Sequence, residues 1–315
     1  MNRNLFDYLI ITFKGIAMGA ADVVPGVSGG TIAFISGIYE ELITSINNIN
    51  LDLFKTFKNK GIKAAWAQLN GNFLLALLLG IGISILSLAK IIKSLLNDEP
   101  VLLWSFFFGL VIASILFIGK QIENWNWKTI LVFLLGTVLA YYITILPSGD
   151  ESIQASWFVF IAGALAICAM ILPGISGAFI LVLLGAYEPV LSAINNRDIK
   201  TIAIFAVGAV IGLLSFSKLL KWLFSHYKNL TLALLTGFIL GSLNKIWPWK
   251  IITGTRIDSH GQEVNVYGKS VLPNTFETVN QIEPQILFAI VLMIVGFLTI
   301  FIMEKFASSK NKKHS

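Results

Sequence analysis

A sixteen-residue segment occurs twice in this chain, and each copy contains a turn that an uninterrupted helix cannot accommodate. Residues 25–40 read PGVSGGTIAFISGIYE and residues 173–188 read PGISGAFILVLLGAYE, with eight of the sixteen positions identical. Unrelated segments of ordinary composition would share roughly one or two. Proline lacks a backbone donor and glycine permits left-handed backbone, so each Pro-Gly-x-Ser-Gly turn predicts a break between two helices. The chain is therefore predicted to be an internal duplication built around two breaks.

These breaks lie in a chain that is too apolar for a soluble protein of its length. Its 315 residues are 56% hydrophobic and only 13% charged, and the mean hydropathy is +0.79. Six apolar runs approach or reach the roughly 20 residues that a membrane-spanning helix needs. The runs predict an all-α polytopic membrane protein with spans at about 73–96, 101–119, 129–146, 202–224, 230–246 and 286–303.

The duplication extends beyond the two turns into the apolar runs. Aligned at an offset of 128 positions, Gly80 matches Gly208, Lys90 matches Lys218 and Gly109 matches Gly237. Each half is thus predicted to contain a broken or re-entrant helical hairpin followed by three transmembrane helices. The predicted parts are a first repeat at 1–146 with its hairpin at about 5–45 and an interfacial cytoplasmic segment at 46–72, a second repeat at 147–303 with its hairpin at about 155–193 and an outer loop at 247–285, and a basic tail at 304–315.

The number of crossings predicts how the two repeats are oriented. Each half crosses three times if its hairpin is re-entrant and five times if both arms span, and both numbers are odd. The second copy must then begin on the opposite side, which is the inverted-topology construction of secondary transporters. Lysines cluster at 55–63 and 305–313 while 147–154 has no basic residue, which predicts that both termini are cytoplasmic. The long loop 247–285 carries basic residues on the outer side, but long loops count less in this rule.

The breaks are predicted to bind an anion. A helix amino terminus exposes unpaired amides and a partial positive charge, and within a membrane such a break persists only where protein, water or ligand meets it. Ser28 and Ser176 are natural caps of the following helices, and a purely capping role for them remains an alternative. The candidate substrate-binding residues are Pro25, Gly26, Ser28, Gly29, Gly30 and Thr31 in the first break and Pro173, Gly174, Ser176, Gly177 and Ala178 in the second.

Charged residues near the spans are candidates for balancing substrate charge or coupling to protons. Carboxylates are costly inside a membrane, so Asp22, Glu40 and Glu188 either serve function or cap and pair within their hairpins. Lys90 and Lys218 are equivalent in the repeat but could simply snorkel to the interface. Lys14 is the cation nearest the first break in sequence.

Three segments together resemble the bacterial polyprenyl-phosphate transporter family: KGIAMGAADVVPGVSGGTIAFISGIYEEL at 14–42, PGISGAFILVLLGAYEPVL at 173–191 and GSLNKIWPWK at 241–250. The resemblance covers nearly the whole chain. It implies a flippase in the bacterial plasma membrane that returns undecaprenyl phosphate, the lipid carrier of cell-wall synthesis, from the outer to the inner leaflet. The second break departs from the first in reading Gly177-Ala178 where the first reads Gly29-Gly30.

The sequence leaves three other classes of function as alternatives. Undecaprenyl-diphosphate phosphatases resemble this chain in their Pro-Gly-x-Ser turn, but theirs continues Arg-Ser, and the sequence here has no such arginine to stabilise phosphoryl charge. A transporter of a small soluble anion fits the breaks alone equally well, and a structural scaffold leaves them without a purpose. The single Cys168 excludes an intramolecular disulfide, and no metal, cofactor or nucleic-acid partner is expected.

Overall fold

The computed structural model describes residues 3–24, 27–146, 155–257 and 263–311. Within these ranges the chain forms fourteen α-helices, one short 3₁₀ helix and one antiparallel strand pair. The helices of the first half are α1 Leu5–Val23, α2 Gly29–Ile35, α3 Tyr39–Asn47, α4 Leu51–Leu69, α5 Gly71–Asp98, α6 Pro100–Gly119 and α7 Trp127–Ile145. The elements of the second half are α8 Ser156–Ile171, α9 Gly177–Leu183, α10 Tyr187–Asn195, α11 Ile199–His226, α12 Lys228–Ser242, the 3₁₀ helix Leu243–Ile246, β1 Lys250–Ile257, β2 Glu263–Ser270, α13 Pro273–Asn280 and α14 Ile286–Asn311.

The all-α polytopic class is confirmed. Among the described residues, five helices are long and apolar enough to cross a membrane, or up to six if the bent pair α9 and α10 is counted as one span. The five segments are Gly71–Leu88, Pro100–Gly119, Trp127–Ile145, Ile199–His226 and Lys228–Ile246. The span predicted at 286–303 lies in α14, whose apolar part Ile286–Phe301 is a shorter stretch, and the helix continues to Asn311 into the predicted tail.

Both hairpins follow the same local rules. In each half a long helix ends at a break, a seven-residue helix follows, and a glycine then turns the chain into a nine-residue helix. These glycines, Gly37 and Gly185, have φ of 73° and 66°, the left-handed conformation that a side chain disfavours. The amide after each glycine donates to the carbonyl five residues earlier, at 3.0 Å in the first half and 2.8 Å in the second, as in a Schellman helix end. Helices α9 and α10 consequently meet at 110°.

Close helix contacts repeat between the two halves position by position. A methyl group on Gly80 of α5 would overlap the carbonyl of Thr12 in α1, and one on Gly208 of α11 would overlap the carbonyl of Phe160 in α8. Gly208 lies 128 positions after Gly80 and Phe160 lies 148 positions after Thr12, the two offsets of the sequence repeat. Glycine therefore permits the same backbone approach in both hairpin-to-span pairs.

The last helix of each half packs against the other half. In α6, Gly109 lies against the backbone of Met293 in α14, and in α12, Gly237 lies against the backbone of Phe133 in α7. Helices α7 and α14 are thus exchanged between the repeats, which interlocks the two halves. The opposed direction of the halves across the membrane stays a prediction.

The predicted loop 247–285 contains regular structure that the sequence did not predict. Strands β1 and β2 pair antiparallel, and α13 follows them. The indole of Trp249, next to β1, is buried and donates to the carbonyl of Pro284 at 2.8 Å. Phe276 of α13 packs with it against Val101 of α6. The loop is therefore anchored on the start of α6 by a small apolar cluster.

Helix α4 occupies residues 51–69, inside the segment predicted to lie at the interface. Gly61 breaks its regular geometry with φ of 81°, and apolar side chains such as Leu51, Phe54 and Ile62 are exposed. Exposed apolar residues among lysines are typical of a helix lying on a membrane surface. Its position on the cytoplasmic face stays a prediction.

Candidate functional site

The two breaks, 148 positions apart in sequence, touch in the protein interior. The hydroxyl of Ser28 lies 3.2 Å from the carbonyl of Met170 and 3.3 Å from that of Leu172, so it donates to the end of α8. In the opposite direction, the amide of Gly174 donates to the hydroxyl of Thr31 at 2.9 Å. Ser28 and Thr31 are both fully buried. Each break therefore satisfies backbone or side-chain groups of the other.

The end of α8 explains why the breaks fit together. The last carbonyls of a helix lack intrahelical partners, and lipid cannot supply any. Tyr39, at the start of α3, donates its buried hydroxyl to the carbonyl of Ile171 at 3.2 Å, next to the contact of Ser28. Gly30 makes this approach possible, because a methyl group there would stand 2.5 Å from the same carbonyl oxygen. Tyr39 was not among the residues predicted for the site.

The first break neutralises its own helix terminus. The hydroxyl of Ser28 accepts from the amide of Gly30 at 3.1 Å, as predicted for a cap. The carboxylate of Asp22 accepts from the amide of Gly29 at 2.6 Å, and the amide of Thr31 donates to the Ser28 carbonyl at 2.9 Å. The amides of Gly29, Gly30 and Thr31 are therefore not free in this structure, contrary to expectation. The reason is that Asp22 reaches back from α1 and supplies the negative charge that a helix amino terminus favours.

The second break keeps its terminus open. Ser176 stands at the cap position of α9 but makes no capping hydrogen bond. In the part of the chain described, the amides of Gly177 and Ala178 have no protein acceptor, and Ala178 is exposed. Met170 occupies the position that corresponds to Asp22 in the repeat, so no equivalent carboxylate is present. The two breaks thus share a backbone design and differ in charge.

The remaining break residues have a simple structural placement. Pro173 and Gly174 are buried, and Gly174 has φ of 88°, which bears out the expectation of left-handed backbone there. A methyl group on Gly174 would lie 2.9 Å from the hydroxyl of Ser242, so the second break packs directly on the end of α12. Pro25 and Gly26 lie outside the described residues.

The candidate charge partners are spread over the molecule. The ammonium of Lys14 donates to the carbonyl of Ser36 at 2.6 Å, at the end of α2 opposite the break. Glu40 forms an exposed pair with Lys228 at 3.7 Å. Among the described residues, only Asp22 of this group forms a hydrogen bond at a break. The three remaining candidates, Glu188, Lys90 and Lys218, are exposed.

One cation at the second break was missed. The ammonium of Lys245, in the 3₁₀ helix after α12, lies 3.9 Å from the ring centroid of Phe179, in the first turn of α9. Lys245 lies in the GSLNKIWPWK run, but it is about 70 positions from the break it reaches, and only tertiary structure shows the contact. Elsewhere in the described ranges, no three His, Cys, Asp or Glu side chains gather as a metal site would require.

These features define a polytopic α-helical membrane protein in which two broken hairpins interlock at their breaks. A family profile named VCA0040-like and described as undecaprenyl phosphate translocase-like matches residues 18–264. The chain belongs to this family.

Two curated relatives are similar over most of their length. A polyprenyl-phosphate transporter of Vibrio cholerae serotype O1 is 47% identical over 308 residues, covering 98% of this chain and 99% of the relative. A polyprenyl-phosphate transporter of Staphylococcus aureus is 33% identical over 252 residues, covering 75% of this chain and 84% of the relative. No solved structure matches the chain.

Proposed function

We propose that this protein is a transporter that moves polyprenyl phosphate, in particular undecaprenyl phosphate, from the outer to the inner leaflet of the bacterial plasma membrane. Membership of the family and the names of both relatives support this substrate. In this proposal the two repeats are inverted, both termini are cytoplasmic, and the protein carries the lipid without hydrolysing it.

The observation that carries the proposal is the contact between the two breaks. Ser28 donates to the end of α8 and Thr31 accepts from Gly174 at 2.9 Å, and this contact supports a single site formed by both breaks. Irregular backbone at membrane depth is typical of transporter substrate sites, where half-helix termini face an anionic group. The break residues named above are the proposed headgroup ligands.

The chemistry of a lipid phosphate suits such a site. A phosphate monoester carries about −1.5 to −2 charges at neutral pH and cannot cross hydrocarbon unaided. The polyprenyl tail can stay in lipid, so the protein needs to shelter only the headgroup. In the described conformation the open second break is the available position for an anion. At the first break a phosphate would first have to displace Asp22 from the amide of Gly29, so occupation of that break requires a rearrangement.

The test is transport in proteoliposomes that contain fluorescent polyprenyl phosphate, with the outer leaflet quenched by an impermeant reductant. Wild-type protein should expose the inner-leaflet lipid to quenching, whereas Gly30→Ala should slow this exchange by about tenfold or more, because the methyl group forces the breaks apart. Gly82→Ala is the matched control, since a methyl group there would meet no atom within 4 Å. Thermal unfolding of each variant shows whether it is folded.

Two further measurements separate the rival functions. The same vesicles are given labelled inorganic phosphate, and uptake of phosphate without lipid movement would identify a soluble-anion transporter. Purified protein is also incubated with undecaprenyl diphosphate, and we expect no phosphate release. Steady release would assign a phosphatase in place of a transporter.

A further inference from the structure

Each break has one charged side chain that the corresponding position of the other half lacks, and the two charges are opposite in sign. Asp22, whose carboxylate holds the amide of Gly29 at the first break, corresponds to Met170 at the second. Lys245, whose ammonium lies on Phe179 at the second break, corresponds to Phe117 in the first half. The first break is therefore complete without a ligand, whereas the second, among the residues that the structure describes, has a cation and no anion.

The position of Lys245 is set by the packing of the second break on α12. Gly174 contacts the backbone of Phe238 and Ile239 in α12, and the 3₁₀ helix that follows places Lys245 over the first turn of α9. The side chain of Lys245 is partly buried, and its ammonium rests against an aromatic face. An aromatic ring attracts a cation but cannot neutralise its charge.

A second lysine lies behind the first. The ammonium of Lys250, which is only 5% exposed, donates to the carbonyl of Lys245 and lies 4.2 Å from the ring centroid of Trp104. In the ranges that the structure covers, neither lysine forms an ion pair with a carboxylate. Burial, together with the charge of Lys245, lowers the pKa of Lys250 from 10.5 to about 7. Buried charges are normally paired with an opposite charge. Lys245 and Lys250 have no carboxylate partner among the described residues, so this pair of lysines lacks a counter-ion.

We infer that Lys245 binds a phosphate monoester at the second break. Lys250 positions Lys245, because the ammonium of Lys250 donates to the backbone carbonyl of Lys245. This inference rests on the proposed function, because it takes the monoester to be the headgroup of polyprenyl phosphate. In the predicted orientation α12 ends at the outer face, so Lys245 captures the headgroup from the outer leaflet. Ser176, in the same break, is partly exposed and makes no capping bond, so its hydroxyl is a further neutral donor for this anion.

The experiment measures binding of farnesyl phosphate, farnesol and inorganic phosphate to purified full-length protein. The variants are Lys245→Gln, Lys245→Arg and, as matched control, Lys269→Gln, which removes an exposed lysine from the same outer segment. Loss of a charge-assisted hydrogen bond should weaken farnesyl phosphate binding by roughly 10- to 100-fold in Lys245→Gln. Lys245→Arg keeps the charge and should stay within a few-fold of wild type, as should Lys269→Gln. Farnesol binding should not change in any variant.

Unchanged farnesyl phosphate affinity in a folded Lys245→Gln protein would overturn the inference. If the wild type binds inorganic phosphate and farnesyl phosphate with equal affinity, the site binds anions but does not recognise the lipid. The proposed function is tested separately by lipid movement in proteoliposomes. Normal movement in Lys245→Gln would refute only the inference, while lysine-dependent binding without movement in the wild type would refute only transport.

Discussion

Asp22 makes the two copies of the break differ, because its side chain binds the helix terminus in the first copy only. The sequence predicts a break at both Pro-Gly-x-Ser-Gly turns and a cap at Ser28, because these depend on local backbone rules. The sequence does not predict that Asp22 reaches the amide of Gly29. Capping and proton coupling are both compatible with the sequence, and only the three-dimensional path of the chain distinguishes them. The observed bond of 2.6 Å corresponds to the capping alternative in this conformation.

Lys250 offers a test of buried charge outside the spans. Replacing it in Lys250→Met keeps the length of the side chain and removes the charge, so the variant should be more stable at pH 6 by about 1 kcal/mol or more. The pKa of Lys250 is lowered to about 7, so its cost to the folded state is complete below pH 7. The cost fades as pH rises from 7 towards 10.5, because the folded protein then loses the proton before the unfolded chain does.

Thermal unfolding in detergent at pH 6 and pH 9 checks this prediction. The stabilising effect of Lys250→Met should be larger at pH 6. An effect that is equal at both values, or a loss of stability at pH 6, would mean that the charge has a partner or that the ammonium bond to the Lys245 carbonyl dominates. Lys269→Met, at an exposed position, is the control.

At the scale of elements, local sequence patterns predicted the helices themselves better than they predicted which elements pack together. Apolar runs predicted the five described helices that are long enough to span, while the sixth run forms a shorter apolar stretch in α14. The alternation of lysines with apolar residues predicted the helix α4. The strands β1 and β2 were missed because they lie in a polar segment between two spans, where periodicity competes with turn-rich sequence. Their anchoring through Trp249 and Phe276 is a tertiary contact with α6 that no local pattern contains.

Close helix approach depends on glycines with no space for a side chain. Gly237→Ala should destabilise the protein by about 1 to 3 kcal/mol, because its methyl group meets the backbone of Phe133 in α7. Gly82→Ala, in open space, should be neutral or stabilising through better helix propensity. Thermal unfolding of the two variants measures the difference. If they prove equally stable, the α7 and α12 contact is looser than the structure indicates.

At the scale of the molecule, the repeated glycine contacts accord with the duplication inferred from sequence, whereas sidedness remains a prediction from charge. The matching pairs at offsets of 128 and 148 positions could be anticipated only in part, because sequence identity marks which residues correspond but not which helices touch. The exchange of α7 and α14 between the halves was accordingly not foreseen. Apolar helices of similar length and composition give no signal for choosing between such partners.

Sidedness can be tested by labelling single cysteines. Cys168→Ser removes the native thiol, and Lys58→Cys in α4 or Lys269→Cys in β2 adds one. With both termini cytoplasmic, an impermeant maleimide added to intact spheroplasts should label position 269 and leave position 58 unlabelled until the membrane is opened. The reverse pattern would invert the assigned topology and place Lys245 at the inner leaflet.

The exchanged helices also impose an order on biosynthesis. Helix α6 ends at Gly119, whereas its partner α14 begins at Ile286. At 5–20 residues per second, the ribosome needs roughly ten to thirty seconds to make the chain between them. During that interval the glycine face of α6 lies against lipid or an insertase. The first half therefore cannot complete its packing as an independent unit. A nascent chain that stalls before α14 remains a target of cellular quality control, even when its first hairpin is complete.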